Sequence, residues 1–360
     1  MGRRATLAQV AARAGVSAST ASLAFSGAGP VAAATRERVL AAARELDYAG
    51  PDPRAVSLRR GRSGVVGVVV GERLTDAFAD PFAVAVLDAL AGVLARHALA
   101  PLLLPLTPDG AGGPAQQFTT VPLDAVVFPT GAQADEPALP LLLQRGVPVV
   151  AVEGPVHPDV PLLSLADRAG AAAAARHLLA LGHRRVAVVT MPWRLDGRRG
   201  PLTASRRAVP GFPDASRRLA GAEDVLVPVA VHECAANALE EGEAAAAALL
   251  AAAPPAGDRS GSAGPPTAVL AQSDVLAAGV VRGAERLGVA VPERLSVVGF
   301  DGVELPWFAP HRLTTMVQPV REKGEAAAEA VLALLAGRRP PDRELPVALR
   351  TGTTTGPPPG

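Results

Sequence analysis

The sequence predicts a small all-α head followed by a large α/β body built as two doubly wound parallel-sheet lobes. Three observations carry this. The first sixty residues place apolar side chains at helical spacing; from Gly64 onward, short apolar runs alternate with amphipathic stretches; and the charge divides at the same place. Residues 1–63 hold ten arginines against four carboxylates, a net of +6, while the other 25 basic and 30 acidic residues leave the body at −5. A basic head on a mildly acidic body suits a module that meets nucleic acid, fused to one that stays off it.

At 360 residues, 49% hydrophobic and 19% charged, the chain has material for two or three cores. The start, MGRRATLAQVAARAG, becomes amphipathic where a signal peptide would be apolar, and neither end carries 18 uncharged apolar residues, so a soluble cytoplasmic protein is expected. The lone Cys234 excludes an intramolecular disulfide and a thiolate-rich metal site, and is expected as a small buried hydrophobe. Six scattered histidines make no metal or acid–base pair, and no GxGxxG, P-loop or GxSxG spacing occurs; GAGG at 110–113 is too short. No catalytic residue, metal or cofactor is expected.

Three helices are expected in the head. Thr6 precedes Leu7, Val10, Ala11 and Ala14 on one face, and Gly15 supplies a left-handed stop. Ser17 is an N-cap for a helix from Ala18 to Phe25, and a third helix runs from about Thr35 to Tyr48 with Val39, Ala42, Ala43 and Leu46 inward. The alanines of VAAAT leave that third helix without a capping side chain. Two short helices about a Gly-centred turn form a helix-turn-helix, whose second helix enters the DNA major groove. Its outward positions are Ala18, Ser19 and Ser22, flanked by Leu23, while Ser17 and Thr20 offer hydroxyls to phosphates.

In the body, strands are expected at 65–70, 101–106, 125–128, 148–152, 185–190, 267–272 and 295–300, and helices at 81–98, 137–145, 168–181, 240–253, 274–287 and 321–336. Continuous apolar strands between helices imply parallel sheets covered on both faces, with ligand at the strands' carboxyl ends. Asp274 is expected as a helix N-cap, and Asp167 is open to the same reading. Trp193 and Trp307 are either stacking surfaces for a sugar or core. The long segment 191–217 is a candidate lining of the cleft, and 254–266 reads as an exposed loop.

TLAQVAARAGVSASTASLAFSG followed by TRERVLAAARELDY resembles the N-terminus of the lactose-repressor (LacI/GalR) family of bacterial regulators, and the hinge follows as PDPRAVSLRRGRSGVVGVVV. GVPVVAVEG, RHLLALGHRRVAVVT, PTAVLAQSDVLAAGVVR, VPERLSVVGFDGVELP and HRLTTMVQP extend the likeness through the body. The resemblance implies a head at 1–49, a hinge at 50–63 and a periplasmic-binding-protein-like domain at 64–360. Its N-lobe would span about 64–163 and 317–340, its C-lobe about 164–316 and 341–360. It implies further that Leu58 wedges into a minor-groove step, with Arg59 and its neighbouring arginines on phosphates. Thr6, Ser17, Ala18, Ser19, Thr20, Ser22 and Leu23 then complete the DNA-binding set.

Leu23 stands where the family usually carries an arginine, and Ala18 replaces a larger polar residue, so base readout should lean on Ser19, Ser22 and apolar contact with thymine methyls. Gly50 is a one-residue insertion before the hinge, and Val56 replaces a hinge arginine. By motif, Arg218, Asn237, Ser273 and Asp301 match effector-binding positions, although a turn-capping role is open to Asp301. Arginine with aspartate suits sugar hydroxyls. The reading is a ligand-responsive, homodimeric transcription repressor on a palindromic operator, with double-stranded DNA and a carbohydrate effector as partners. Induction, co-repression and activation all remain open. A transport solute receptor would lack the basic head, and an enzyme would need a paired acid and base. The terminal GTTTGPPPG offers no leucine heptad for a tetramer.

Overall fold

The computed structural model describes residues 5–27, 29–71, 74–105, 118–251 and 264–359, and the chain divides into two units, Met1–Gly64 and Val65–Gly360. The GAGG stretch and most of 254–266 lie outside the described residues.

In the first unit α1 (Leu7–Ala14) opens with a capping box: the Thr6 hydroxyl accepts from the Gln9 backbone N–H, and the Gln9 side chain accepts from the Thr6 N–H. Gly15 closes it at φ 66°, a left-handed turn that residues with a Cβ rarely adopt. Ser17 then caps α2 (Ala18–Ser26) by accepting from Thr20 N–H. The third helix, α3 (Ala33–Glu45), starts at Ala32 with no side-chain cap, as VAAAT implied, and begins two residues before the expected start. Val10, Ala11, Ala21, Ala24, Val39, Ala42 and Ala43 make the core, closed by an edge-on contact of Phe25 with Tyr48. Small residues at the crossings let three short helices approach closely. A fourth helix, α4 (Pro53–Arg60), occupies the hinge.

The second unit holds two sheets. The first contains β1 (Val65–Val70), β2 (Ala100–Pro105), β3 (Ala125–Phe128), β4 (Val149–Val152), β5 (Leu162–Leu165) and β12 (Arg343–Leu345), all parallel, in the order β12-β5-β4-β3-β1-β2. The second contains β6 (Val186–Thr190), β7 (Gly200–Pro201), β8 (Ala230–Glu233), β9 (Ala268–Ala271), β10 (Ser296–Asp301), β11 (Thr314–Val317) and β13 (Ala348–Arg350), in the order β13-β11-β10-β9-β6-β8-β7. Its two edge strands, β7 and β13, pair antiparallel, so this sheet is parallel only in its interior.

The expected lobe boundaries shift. Leu345 pairs with Leu165 and both are buried with Val66 and Leu90, so 341–345 belongs to the first lobe, and the final return begins after β12. Val317 pairs with Asp301, which keeps it in the second lobe. The chain therefore crosses between lobes after β5, after β11 and after β12. A helix not foreseen, Pro213–Glu223, takes the last residues of the long 191–217 segment, with Pro213 in its first turn, where the lost N–H costs nothing.

Candidate functional site

Two sites follow from the fold, one on each unit. On the head, Ser17, Ala18 and Ser19 are exposed at the start of α2, Thr20 and Ser22 are half-buried, and Leu23 is exposed beside Gly29. The Ser17 hydroxyl lies 2.8 Å from both the Ser19 and Thr20 hydroxyls, so these three side chains form one polar cluster at the helix N-terminus, where backbone N–H groups and the helix dipole favour an anion. Thr6 is exposed at the start of α1. Leu58 is 85% exposed on α4, next to exposed Arg59. An apolar side chain held almost wholly in water contributes nothing to the fold.

In the body, the carboxyl ends of β6, β8, β9, β10 and β11 converge on the gap facing the first lobe. The helix Pro213–Glu223 turns Arg218 into this gap, 3% exposed. Its Nε donates to Asp167 Oδ1 at 2.8 Å and its Nη1 to the Gln272 carbonyl at 2.6 Å. Nη2 reaches across to Glu153 of the first lobe at 3.4 Å, Asp301 lies 3.7 Å from Nη1, and the guanidinium sits 3.9 Å over the Phe300 ring. A second bridge joins the lobes at Asn237, whose amide donates to Asp80 at 3.0 Å and accepts from the Ser273 hydroxyl at 2.5 Å. Arg218 and Asp301, far apart in sequence, thus share one buried cluster, and Asn237 and Ser273 share a second, partly buried one.

One expectation is corrected and three open readings are decided. Asp274 is not a helix N-cap: Ser273 caps the helix Asp274–Arg286 by accepting from Leu276 N–H, so its hydroxyl is committed on both sides. The Asp274 carboxylate instead accepts from Gly302 N–H, Val303 N–H and the Thr315 hydroxyl, pinning the turn after β10. A Cβ at Gly299 would stand 2.2 Å from Asp274 Oδ1, which is why the GFDG motif opens with glycine. Asp167, the first residue of the helix Asp167–Ala180, makes no capping bond and faces Arg218. Asp301 is no simple turn cap either. It accepts from the Gln318 amide at 2.6 Å and holds φ 126°, a conformation in which a non-glycine residue is strained. Trp307 is 53% exposed, whereas Trp193 is 3% exposed, packed in the second lobe's core with its indole N–H lacking a partner.

The segment 191–212 lies along the lobe junction: Arg194 pairs with Asp135 at 2.9 Å, and Ala134 N–H donates to the Gly211 carbonyl. Glu153, Asp80, Asp214, Gln318 and Lys323 were not read as site residues, because each belongs to an element whose local pattern is only that of a strand end or a helix.

Carboxylates outnumber cations here. Asp167 Oδ2 and Asp214 Oδ1 are buried without a hydrogen-bond partner. Burial pushes Asp167 up to about 7, with Arg218 opposing and Glu153 and Asp214 assisting. Burial likewise raises Asp214 and Asp301, while for Glu153 the neighbouring Lys323 and Arg218 outweigh burial and hold it low. A carboxyl raised in the folded state contributes stability that is complete below its ordinary value of 3.8 and is lost as pH rises through about 7. Asp167→Asn is expected to flatten the fall in stability between those values by up to about one proton's worth of slope, measured by urea unfolding at stepped pH. An unchanged slope would mean that Asp167 is ionised throughout.

Cys234 is fully buried, and burial pushes its thiol well up, matching the inert hydrophobe expected. Among the described residues no helix is long and apolar enough to cross a membrane.

A helix-turn-helix head on a two-lobed α/β body with a polar interlobe cleft defines a DNA-binding regulator. Residues 6–50 match the model for bacterial regulatory proteins of the lacI family, and residues 175–355 match the periplasmic binding protein-like domain. The chain is 35% identical to the HTH-type transcriptional regulator Rv3575c of Mycobacterium tuberculosis, covering 99% of this chain and 98% of that protein. It is 30% identical to the HTH-type transcriptional repressor CytR of Escherichia coli, over 92% and 89%. The lac repressor dimer bound to operator and the anti-inducer ONPF superposes with a TM-score of 0.76 at 24% identity, over 98% of this chain and all of that one. This chain belongs to the lacI family: it is a DNA-binding transcriptional regulator and not an enzyme.

Proposed function

We propose that the chain is a homodimeric, cytoplasmic repressor whose grip on a palindromic operator is set by a small uncharged polar ligand, a sugar or sugar derivative, bound between the lobes. The observation that carries the ligand reading is the pair of interlobe hydrogen bonds, Arg218 to Glu153 and Asn237 to Asp80, at the carboxyl ends of the second sheet. A ligand there exchanges contacts with both lobes and alters their relative angle, which is coupling through a bistable interface. Its chemistry follows from the partners. Arg218 and Lys323 already face carboxylates, so an anion gains little, whereas hydroxyls can donate to Asp167 Oδ2 and Asp214 Oδ1. The repressor reading is supported by the relative named as one.

The test is selection of genomic fragments by the purified protein, followed by titration with a panel of neutral sugars. An imperfect palindrome of roughly 14–20 base pairs is expected, bound with affinity falling steeply as salt rises. A sugar that shifts binding gives the sign of the response, release for induction and tightening for co-repression. Enriched DNA that no neutral sugar affects would remove the ligand assignment and leave the operator reading intact.

The hinge has its own test. Leu58→Ala is expected to weaken operator binding by about 1–3 kcal/mol through loss of the wedge and its bend. Because Leu58 is so exposed, thermal stability should not change. Equal affinity and equal DNA bending in the variant would show that Leu58 stays outside the stack.

A further inference from the structure

Lys323 is the only lysine among 35 basic residues, and it is fully buried. Arginine supplies every other basic side chain, so this position stands apart from the composition around it. The ammonium meets Glu153 Oε2 in a short ion pair, donates to Gln318 Oε1 at 3.2 Å, and lies 4.6 Å from the centre of the Phe82 ring. These three partners suit a compact ammonium better than a planar guanidinium.

The contacts close into a ring. Arg218 reaches Glu153, Glu153 reaches Lys323, Lys323 reaches Gln318, Gln318 donates to Asp301, and Asp301 returns to Arg218 at 3.7 Å. Glu153 and Lys323 stand on the first lobe, Asp301 and Arg218 on the second, and Gln318 in the crossover between them. Glu153 at φ 62° and Asp301 at φ 126° are two of only four non-glycine residues with positive φ among those described, one on each side of the cleft. Strain of this kind persists where surrounding contacts hold it.

We infer that Lys323 is a positioning residue of the ligand cleft: it keeps Glu153 paired on the first lobe, so that Arg218 can leave Glu153 for a ligand without stranding a buried carboxylate. The distances support the asymmetry. Arg218 holds Asp167 and the Gln272 carbonyl on its own lobe at 2.8 and 2.6 Å, and its link across the gap is longer, 3.4 Å. The Glu153–Lys323 pair lies wholly within the first lobe. When the lobes part, the Arg218–Glu153 link breaks along with the Asn237–Asp80 bridge, and both Arg218 and Glu153 keep a partner on their own lobe. Without Lys323, Glu153 would have Arg218 as its only cation, and opening would leave a buried anion uncompensated.

The inference rests on reading this cleft as the ligand site, yet its test needs no ligand, so failure of a sugar screen and failure of this assignment are separate results. The full-length protein is treated with N-hydroxysuccinimidyl acetate beside a lysine-containing peptide, and acetylation of Lys323 is followed by mass spectrometry. In the wild type Lys323 is expected to react at least about a hundredfold more slowly than the peptide, since reaction requires opening of its site. Arg218→Met is expected to change that rate by less than about threefold, and Glu153→Gln to raise it by about tenfold or more, each checked for folding by thermal unfolding.

Lysine-selective 15N labelling gives an independent signature, because one lysine yields one side-chain ammonium signal. That signal is expected to persist at neutral pH in the wild type and in Arg218→Met, and to vanish in Glu153→Gln. If Arg218→Met frees the amine as fully as Glu153→Gln, the ring is a single lock and Lys323 does not act separately. A wild-type rate equal to the peptide's would show that the amine is not held. Should Glu153→Gln fail to fold, the wild type and Arg218→Met still decide the matter by both measurements.

Discussion

Removal of residues 1–63 is expected to abolish operator recognition while leaving the remaining chain folded and able to bind its ligand. The body has its own four apolar clusters, and the head's core is built only from residues of its own three helices. Every exposed side chain proposed to meet bases lies before Gly64, and the chain beyond it carries a net charge of −5, which repels phosphate. The expected loss is therefore the whole gap between specific and non-specific affinity, about 10³–10⁷-fold, with no residual salt-dependent binding behind it. Gel-shift titration of the selected fragment at two salt concentrations measures both quantities. Retention of sequence-specific binding by residues 64–360 alone would overturn the assignment of the DNA interface.

What could be read from the sequence was whatever is determined locally. Thr6, Ser17 and Gly15 announce helix ends through side-chain oxygens and a left-handed turn, and the structure puts them there. Apolar runs such as VVGVVV and RVAVVT announce central strands because both faces are covered. The strands that escaped, at 162–165, 200–201, 230–233, 314–317, 343–345 and 348–350, are all short, and each is an edge strand or the neighbour of one, so pairing with a distant neighbour is what defines them.

The cleft divides in the same way. Arg218 and Asp301 were found through motifs, but their partners Glu153 and Lys323 carry no local signature. Glu153 follows a buried strand and Lys323 sits within a helix, and only the crossovers between lobes bring them together. One signal was available: a single lysine in a chain that otherwise uses arginine throughout. Asp274 shows the opposite failure. Aspartate at a helix start has a common local explanation, which the adjacent Ser273 pre-empted.

Arg218→Ala is expected to yield a protein that still occupies its operator and no longer answers to the proposed ligand. Arg218 is the one side chain in the gap that touches Asp167, the Gln272 carbonyl and Glu153 together, so its loss removes both a ligand donor and the arrangement of the acceptors around it. Losing one charge-assisted partner costs about 1.5–3 kcal/mol of ligand binding, roughly 10- to 150-fold. The folded state suffers as well, though unevenly. Glu153 keeps Lys323, whereas Asp167 and Asp301 lose their nearest cation, and burial already raises both carboxyls. Asp167, raised to about 7, can remain protonated in mildly acid solution, so the destabilisation should be smaller near pH 6 and approach the few kcal/mol of a broken buried pair at about pH 8. Calorimetry at pH 6 with the sugar identified by the screen separates lost recognition from lost fold. Binding as tight as wild type there would move the ligand out of this network, towards the 191–212 segment, where the buried indole N–H of Trp193 has no partner.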